Sequence, residues 1–172
     1  PKPTRPLPEL YTLDPVQDGE RSVVVRRSGG VPVVSTIYHV PPAAAPDAAA
    51  VNLLAVILGD TPSGRLHKAL VNNKLAAGTY GNTLELRDPG IAMFGAQLTP
   101  DGDRAKAAEV LIDTVESVGR QPITQEELDR ARTKLLQEWE ITYADAQRLG
   151  VALSESIAAG DWRLFFLMRD RV

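Results

Sequence analysis

Two histidines, His39 and His67, are the only imidazole groups that this sequence offers for metal binding or acid–base chemistry. A catalytic zinc site on one helix uses two histidines with a glutamate between them, so that both rings meet one metal and the carboxylate activates its water. Here His39 lies in a predicted strand and His67 stands alone in a predicted helix. The sequence therefore predicts no catalytic and no metal-binding residue in this chain, and it leaves the substrate-binding residues unknown.

Serine nucleophiles are the next chemistry to consider. Ser35, Ser63, Ser154 and Ser156 are present, but no G-x-S-x-G pattern surrounds any of them. A serine nucleophile also requires a base within hydrogen-bond reach, and no spacing in the sequence indicates one. A serine hydrolase is therefore not favoured.

Three charged or glycine-rich patterns have simpler structural interpretations. Glu126–Glu127 follows Thr124 in the first turn of a predicted helix, where negative charge complements the helix dipole. Arg26–Arg27 is interpreted as a solvated strand end. Residues 59–64, GDTPSG, precede a helix but lack the Gly-Lys-Ser/Thr ending of a phosphate loop. We expect a connecting turn capped by Thr61 or Ser63 there.

Composition excludes several classes of function. The 172 residues carry 19 basic and 22 acidic side chains, a net charge of -3, which disfavours a nucleic-acid surface. Cysteine is absent, so disulfides and thiolate metal sites are excluded. No apolar run reaches membrane-spanning length, so no membrane partner is expected. Pro1 suggests a piece of a longer polypeptide, and the compartment stays open between bacterial cytoplasm and periplasm.

The first half of the chain predicts two β-hairpins separated by two helices. Residues 1–19 are rich in proline and are interpreted as a linker or lead-in. Residues 20–40 predict a hairpin around Gly29–Gly30, whose second strand is apolar on both faces and is therefore expected inside a sheet. Helices are predicted over residues 46–58, with Asp47 as cap, and over residues 64–72. A second hairpin, 75–86 with 90–99, follows.

The second half predicts helices. One covers residues 103–118, and a Thr124-x-x-Glu127 capping box opens a long helix that reaches about Ala144. Residues 145–172 are mostly helical, with a break at Gly160–Asp161. The order β-β-α-α-β-β-α-α-α predicts an α+β fold, with helices packed on one face of an antiparallel sheet. Residues 20–160 are expected to form one domain, and residues 161–172 to begin a truncated helix leading to a further domain.

Several of these segments together resemble insulinase/pitrilysin-type zinc peptidases. The resemblance rests on Gly19-Glu20-Arg21, Tyr38-His39-Val40-Pro41, the helix, turn and strand of Leu58 to Leu86, Asp88-Pro89-Gly90, and Ile123 to Leu128. It implies a bacterial peptidase built from homologous α+β domains that form two bowls around a peptide chamber. It also implies that this chain is a domain without zinc, and that the H-x-x-E-H motif and the zinc belong to a homologous catalytic domain or partner subunit.

The chain departs from the family at two positions of its catalytically supporting half. In that half an Arg and, seven residues later, a Tyr contact the substrate or the intermediate oxygen. The resemblance places Val71 at the Arg position and Gly78 at the Tyr position, and neither side chain can donate the hydrogen bond. Tyr80 is displaced by two residues, which leaves it on the same strand face without its partner. The resemblance therefore implies a non-catalytic domain.

Three functions remain open from the sequence. The first is a non-catalytic, chamber-forming domain of a zinc-dependent endopeptidase, inactive on its own, whose partners are the catalytic domain and a peptide substrate. The second is an inactive scaffold or assembly module, like the core subunits of respiratory complexes. The third is an independent small-molecule-binding α+β domain. Self-association of an isolated domain through its exposed partner surface also remains open.

Overall fold

The computed structural model describes residues 16–172, which fall into two compact units divided between Gly30 and Val31. Most of the proline-rich segment 1–19 lies outside the described residues. In the first unit, residues 16–30 contain no helix or strand, so the predicted strand at residues 20–28 is wrong. Val23, Val24 and Val25 favour strands by residue type, but that preference reflects packing on a half-buried surface. All three are at least 78% exposed.

A three-stranded antiparallel sheet organises the second unit, with strand order β1-β3-β2. Strand β1 is Val33–Val40, β2 is Gly78–Leu84 and β3 is Gly90–Gln97. Strands β2 and β3 form the predicted second hairpin. The prediction that β1 is interior is wrong, because β1 is an edge strand of the described sheet. Its alternate residues Val33 and Ile37 are 52% and 56% exposed, so apolar character on both faces did not mean burial on both.

The described part of the chain also forms five α-helices, a short π-helical turn and a 3-10 turn at Ser117–Gly119. Helix α1 is Ala48–Gly59, the π-helical turn is His67–Val71, and α2 is Arg104–Glu116. Helix α3 is Gln125–Ala144, α4 is Ala146–Ala158 and α5 is Leu164–Arg171. The observed order differs from the predicted order in lacking the first strand, whereas the last helical segment is interrupted at Gly160–Asp161, as predicted. That α5 leads into a further domain stays a prediction.

Side-chain caps set where three of the helices begin. Thr124 and Glu127 form the predicted capping box at α3, in which each side chain bonds the other residue's backbone N–H. Asp103 accepts from the Lys106 N–H at α2, and Asp145 caps α4 in the same manner. Asp47 occupies the cap position of α1, as predicted, but its side chain makes no cap hydrogen bond.

The main hydrophobic core lies between the sheet and helices α1 and α2. Leu58, Leu66 and Leu70 have no exposed surface, and Phe94 on β3 is 3% exposed. A smaller cluster of Leu53, Ile57 and Ala131 joins the other side of α1 to α3. The α+β fold with helices packed against one face of an antiparallel sheet is thereby confirmed.

Helix α1 crosses β2 where neither element has a side chain. A Cβ atom at Gly59 would lie 2.1 Å from the Gly81 nitrogen, and one at Gly81 would lie 2.7 Å from the Ala55 carbonyl oxygen. Real Cβ atoms essentially never approach backbone so closely. The Gly59–Gly81 crossing therefore fixes the distance between α1 and β2 by backbone contact alone.

Aromatic side chains join α3 to α5. The Trp139 ring on α3 stacks on Tyr143 and on Phe165, with centroid distances of 5.0 and 5.2 Å. The Arg169 guanidinium on α5 lies 4.8 Å from the Trp139 ring centroid, a cation–π arrangement. Within residues 16–172, none of the helices is both long and apolar enough to span a bilayer.

Candidate functional site

The two histidines lie on different elements and do not form a metal site. His39 is exposed on β1 opposite Ile91, whereas His67 begins the π-helical turn and its Nδ1 atom is buried without a hydrogen-bond partner in the described structure. Residues 16–172 contain no group of three or more His, Cys, Asp or Glu side chains that could hold a metal ion. The prediction that this chain carries no catalytic or metal-binding residue stays a prediction.

The serines considered as nucleophiles make local hydrogen bonds. Ser154 and Ser156 donate to the carbonyl oxygens one turn back in α4. Ser63 donates to the Asp60 carboxylate at 2.9 Å, within the turn. Ser35 lies on the exposed face of β1.

The turn at residues 59–64 contains the carboxylate of Asp60. Burial opposes ionisation of Asp60, but hydrogen bonds from Lys134 and Ser63 outweigh it and hold the pKa of this carboxyl below its usual value. Lys134 belongs to α3, so the ion pair also fastens the turn to that helix. A carboxylate at this position supports the interpretation as a connecting turn and disfavours an anion site.

Glu127 does more than complement a helix dipole. Its carboxylate accepts two hydrogen bonds of 2.7 Å from Arg65, and the Arg65 guanidinium also donates to the carbonyl oxygens of Gln121 and Pro122. Both side chains are less than 15% exposed. These hydrogen bonds lower the pKa of Glu127 to about 2. Sequence spacing gave no sign of the pair, because its members lie 62 residues apart.

The face of the sheet opposite the core carries no acidic side chain and no Lys or Arg. The pairing register places twelve residues on this outer sheet face, and none of them is Asp, Glu, Lys or Arg. They are Val33, Ser35, Ile37, His39, Gly78, Tyr80, Asn82, Leu84, Ile91, Met93, Gly95 and Gln97. At the 24% charged content of the whole chain, about three would be expected among twelve. Single exposed apolar residues are ordinary, but a whole uncharged sheet face indicates an interaction surface.

Tyr80 of the edge strand β2 extends its ring over the central strand β3 on this face. It is paired with Gly95, and its ring covers that glycine so closely that a Cβ there would fall 2.3 Å from the Tyr80 hydroxyl. Gly78 lies two residues before it on the same face, and Val71 ends the π-helical turn. Tyr80 and Gly78 therefore share a face, as the alternation of a strand predicts.

Comparison with known proteins places these features in a family. The sequence matches the model described as the peptidase M16 inactive domain over residues 1–135, which is most of the chain. The chain belongs to this family. The chain is 30% identical over 128 residues to the zinc protease PqqE of Helicobacter pylori. The matched region covers 73% of this chain but only 29% of that protein.

Solved structures agree with the fold. The inactive peptidase domain of a candidate zinc protease from Bordetella parapertussis is 57% identical, with a TM-score of 0.78 over 86% of this chain and 79% of that one. A chain of complex III from Candida albicans has a TM-score of 0.67 at 14% identity, covering 81% of this chain and 36% of that one. The second likeness shows the fold alone. Membership of a zinc-protease family, predicted from the sequence, is confirmed.

Proposed function

We propose that this M16 inactive domain is a non-catalytic, chamber-forming domain of a zinc-dependent endopeptidase. The observation that carries the proposal is the match to the M16 inactive domain family, together with a zinc protease as relative. In this proposal the zinc and the hydrolysis belong to a homologous catalytic domain, in the same polypeptide or in a partner subunit. The domain contributes a wall of the chamber and a sheet edge at which a peptide can add as a strand.

The absence of the supporting Arg and Tyr is consistent with this role. Val71 and Gly78 occupy those positions of the resemblance, and neither side chain has a polar group. Among the described residues no cluster of metal ligands supplies another centre. Transition-state stabilisation by this domain therefore has no donor at the positions where the resemblance would place one.

Metal content and cleavage of the isolated chain test the proposal. We expect the purified 172-residue chain to bind no stoichiometric zinc by elemental analysis and to cleave no unstructured peptide, because the zinc-bearing domain is separate. Adding the zinc-bearing domain encoded with it should give cleavage that exceeds the activity of that domain alone. One tightly bound zinc with peptidase activity in the isolated chain would contradict the proposal.

A scaffold or assembly module is the second candidate. The uncharged outer sheet face favours it, because such a face serves subunit packing as well as peptide binding. A coding sequence that carries H-x-x-E-H in the same polypeptide or in a neighbouring frame supports the peptidase. Its absence from both, with the chain held in a stable complex, supports the scaffold.

A further inference from the structure

Residues 16–30 present an accessible backbone, because they contain no helix or strand and all of them are exposed. Val23, Val24 and Val25 are 81%, 78% and 84% exposed although their side chains are apolar. A protease takes several residues of its substrate into its active site, so a bond inside a helix or strand becomes accessible only after local unfolding. Hydrolysis within residues 16–30 requires no such unfolding. Exposed segments of this kind are the preferred sites of proteolytic cleavage.

This segment also carries a recognition signal. Arg26 and Arg27 are the only neighbouring pair of Lys or Arg residues in the sequence. Among residues 16–172, neither guanidinium forms an ion pair or a hydrogen bond, whereas Arg120 is paired with Asp113 at 2.8 Å. A guanidinium keeps its charge and binds a carboxylate through two parallel hydrogen bonds. Two neighbouring guanidinium groups therefore suit a protease whose specificity pockets are acidic.

The residues on either side of the pair fit an extended substrate. Val23–Val25 precede it, and β-branched residues favour an extended backbone. In an extended chain successive side chains point to opposite sides, so Arg26 and Arg27 would enter separate pockets. On the carboxyl side, a Cβ atom built at Gly29 or Gly30 would meet no atom within 4 Å. Those two positions are therefore uncrowded.

Arg87 is an exposed basic residue that lies in an ordered turn instead. It belongs to the turn of the β2–β3 hairpin, and Asp88 follows it with a charge that opposes an acidic pocket. The Leu86 carbonyl oxygen, next to Arg87, accepts a 2.9 Å hydrogen bond from the Ala43 N–H. Hydrolysis beside Arg87 therefore requires ordered backbone to open first. A protease specific for basic residues should cut at Arg27 before it cuts at Arg87.

We propose that the Arg27–Ser28 bond is a processing site for a protease that recognises adjacent basic residues. Water adds across the amide, and the bond between the Arg27 carbonyl carbon and the Ser28 nitrogen breaks. The products are a carboxylate on Arg27 and a new amino terminus at Ser28. Residues 28–172 retain every described helix and strand. The inference stands apart from the proposed function, because it concerns a bond that this chain presents as a substrate.

Digestion of the 172-residue chain with kexin, which cuts after adjacent basic residues, tests the recognition. Intact-mass measurement should show one early cut, which gives residues 1–27 and 28–172. Arg26→Gln should slow this cut at least about ten-fold, because a pocket built for a guanidinium then holds an uncharged amide. Arg21→Gln is the matched control and should leave the rate unchanged, since Arg21 is exposed in the same segment without a basic neighbour. No cut after Arg27, or an equal effect of the two substitutions, would overturn the inference.

Trypsin separates the accessibility of the segment from recognition of the pair, because it requires only one basic residue. At limiting enzyme its first cuts should fall after Arg21, Arg26 or Arg27. Arg26→Gln should still be cut by trypsin after Arg27, which shows that the substitution leaves the bond accessible. First cuts within residues 31–172 would contradict the inference.

Recovery of the protein from cells of its source tests whether the site is used. With a tag added after Val172, mass spectrometry should find an amino terminus at Ser28 in the unmodified protein but not in Arg26→Gln. If the unmodified protein is recovered with the Arg27–Ser28 bond intact, or if Arg26→Gln is processed equally, the inference is wrong.

Discussion

Single residues of this domain act between distant parts of the chain. Glu127 closes the capping box of α3 and, through the same carboxylate, holds Arg65 beside the π-helical turn. The capping role could be predicted from Thr124-x-x-Glu127, because cap chemistry is local. The Arg65 partner could not, because contacts between residues far apart in sequence leave no periodic signal. Tyr80 over Gly95 went unpredicted for the same reason.

The Arg65–Glu127 pair predicts a loss of stability in acid. The folded pKa of Glu127 is about 2 and its ordinary value is 4.5, so the carboxylate stabilises the fold above pH 4.5. That contribution decreases as the pH falls from 4.5 towards 2. After allowance for solvent screening it amounts to about 1–3 kcal/mol. Urea unfolding of Glu127→Gln should therefore show a deficit at pH 7 that shrinks by pH 3.

Glu126→Gln is the matched control for this titration. Its side chain is 90% exposed and its contact with Arg130 is 3.7 Å long, so its removal should change the free energy of unfolding very little. A deficit in Glu127→Gln that is the same at both pH values would show that the carboxylate's charge is not what stabilises the pair.

Helices and hairpins with local signals were predicted well, and the strand without one was not. The α3 boundaries and the β2–β3 hairpin follow from the capping box and the Arg87–Gly90 turn, which act over a few residues. The run Ser22–Arg27 has strand-forming residues, yet its conformation depends on a tertiary partner that residue type does not specify. The prediction that β1 is interior was wrong for the same reason, because residue type does not specify which strands lie beside it.

The caps of the helices allow a comparison within one molecule. Thr124→Ala and Asp103→Ala each remove a side-chain acceptor from a helix N-terminus and should lower the free energy of unfolding by about 1 kcal/mol. Asp47 occupies the same helical position, but its side chain makes no cap hydrogen bond. Asp47→Ala should therefore lower the free energy of unfolding by at most a few tenths of about 1 kcal/mol. Thermal or urea unfolding measures all three. Equal costs would refute the assigned cap geometry.

On the scale of the second unit, α1 connects two hydrophobic clusters. Leu58 belongs to the core against the sheet, whereas Leu53 and Ile57 pack with Ala131 of α3. Neither cluster can lose α1 and remain packed. The helical layer and the sheet are therefore expected to unfold together, as small domains usually do.

Two probes test this cooperativity. Both tryptophans, Trp139 and Trp162, lie in the layer of α3 to α5, so their fluorescence reports on that layer, while circular dichroism reports on all elements. The two urea transitions should coincide. Leu58→Ala, at a position with no exposed surface, should shift both midpoints equally and cost about 2–5 kcal/mol. Separate midpoints would show that the layers unfold independently.

The 62-residue separation between Arg65 and Glu127 also has a consequence during synthesis on the ribosome. At about 5–20 residues per second, Arg65 is translated roughly 3–12 seconds before its carboxylate partner. Until residues 121–127 have been made, the guanidinium lacks the acceptors that it has in the folded domain. The nascent chain therefore passes through a stage in which the sheet strands have been made but the pair that joins Arg65, just before the π-helical turn, to α3 has not.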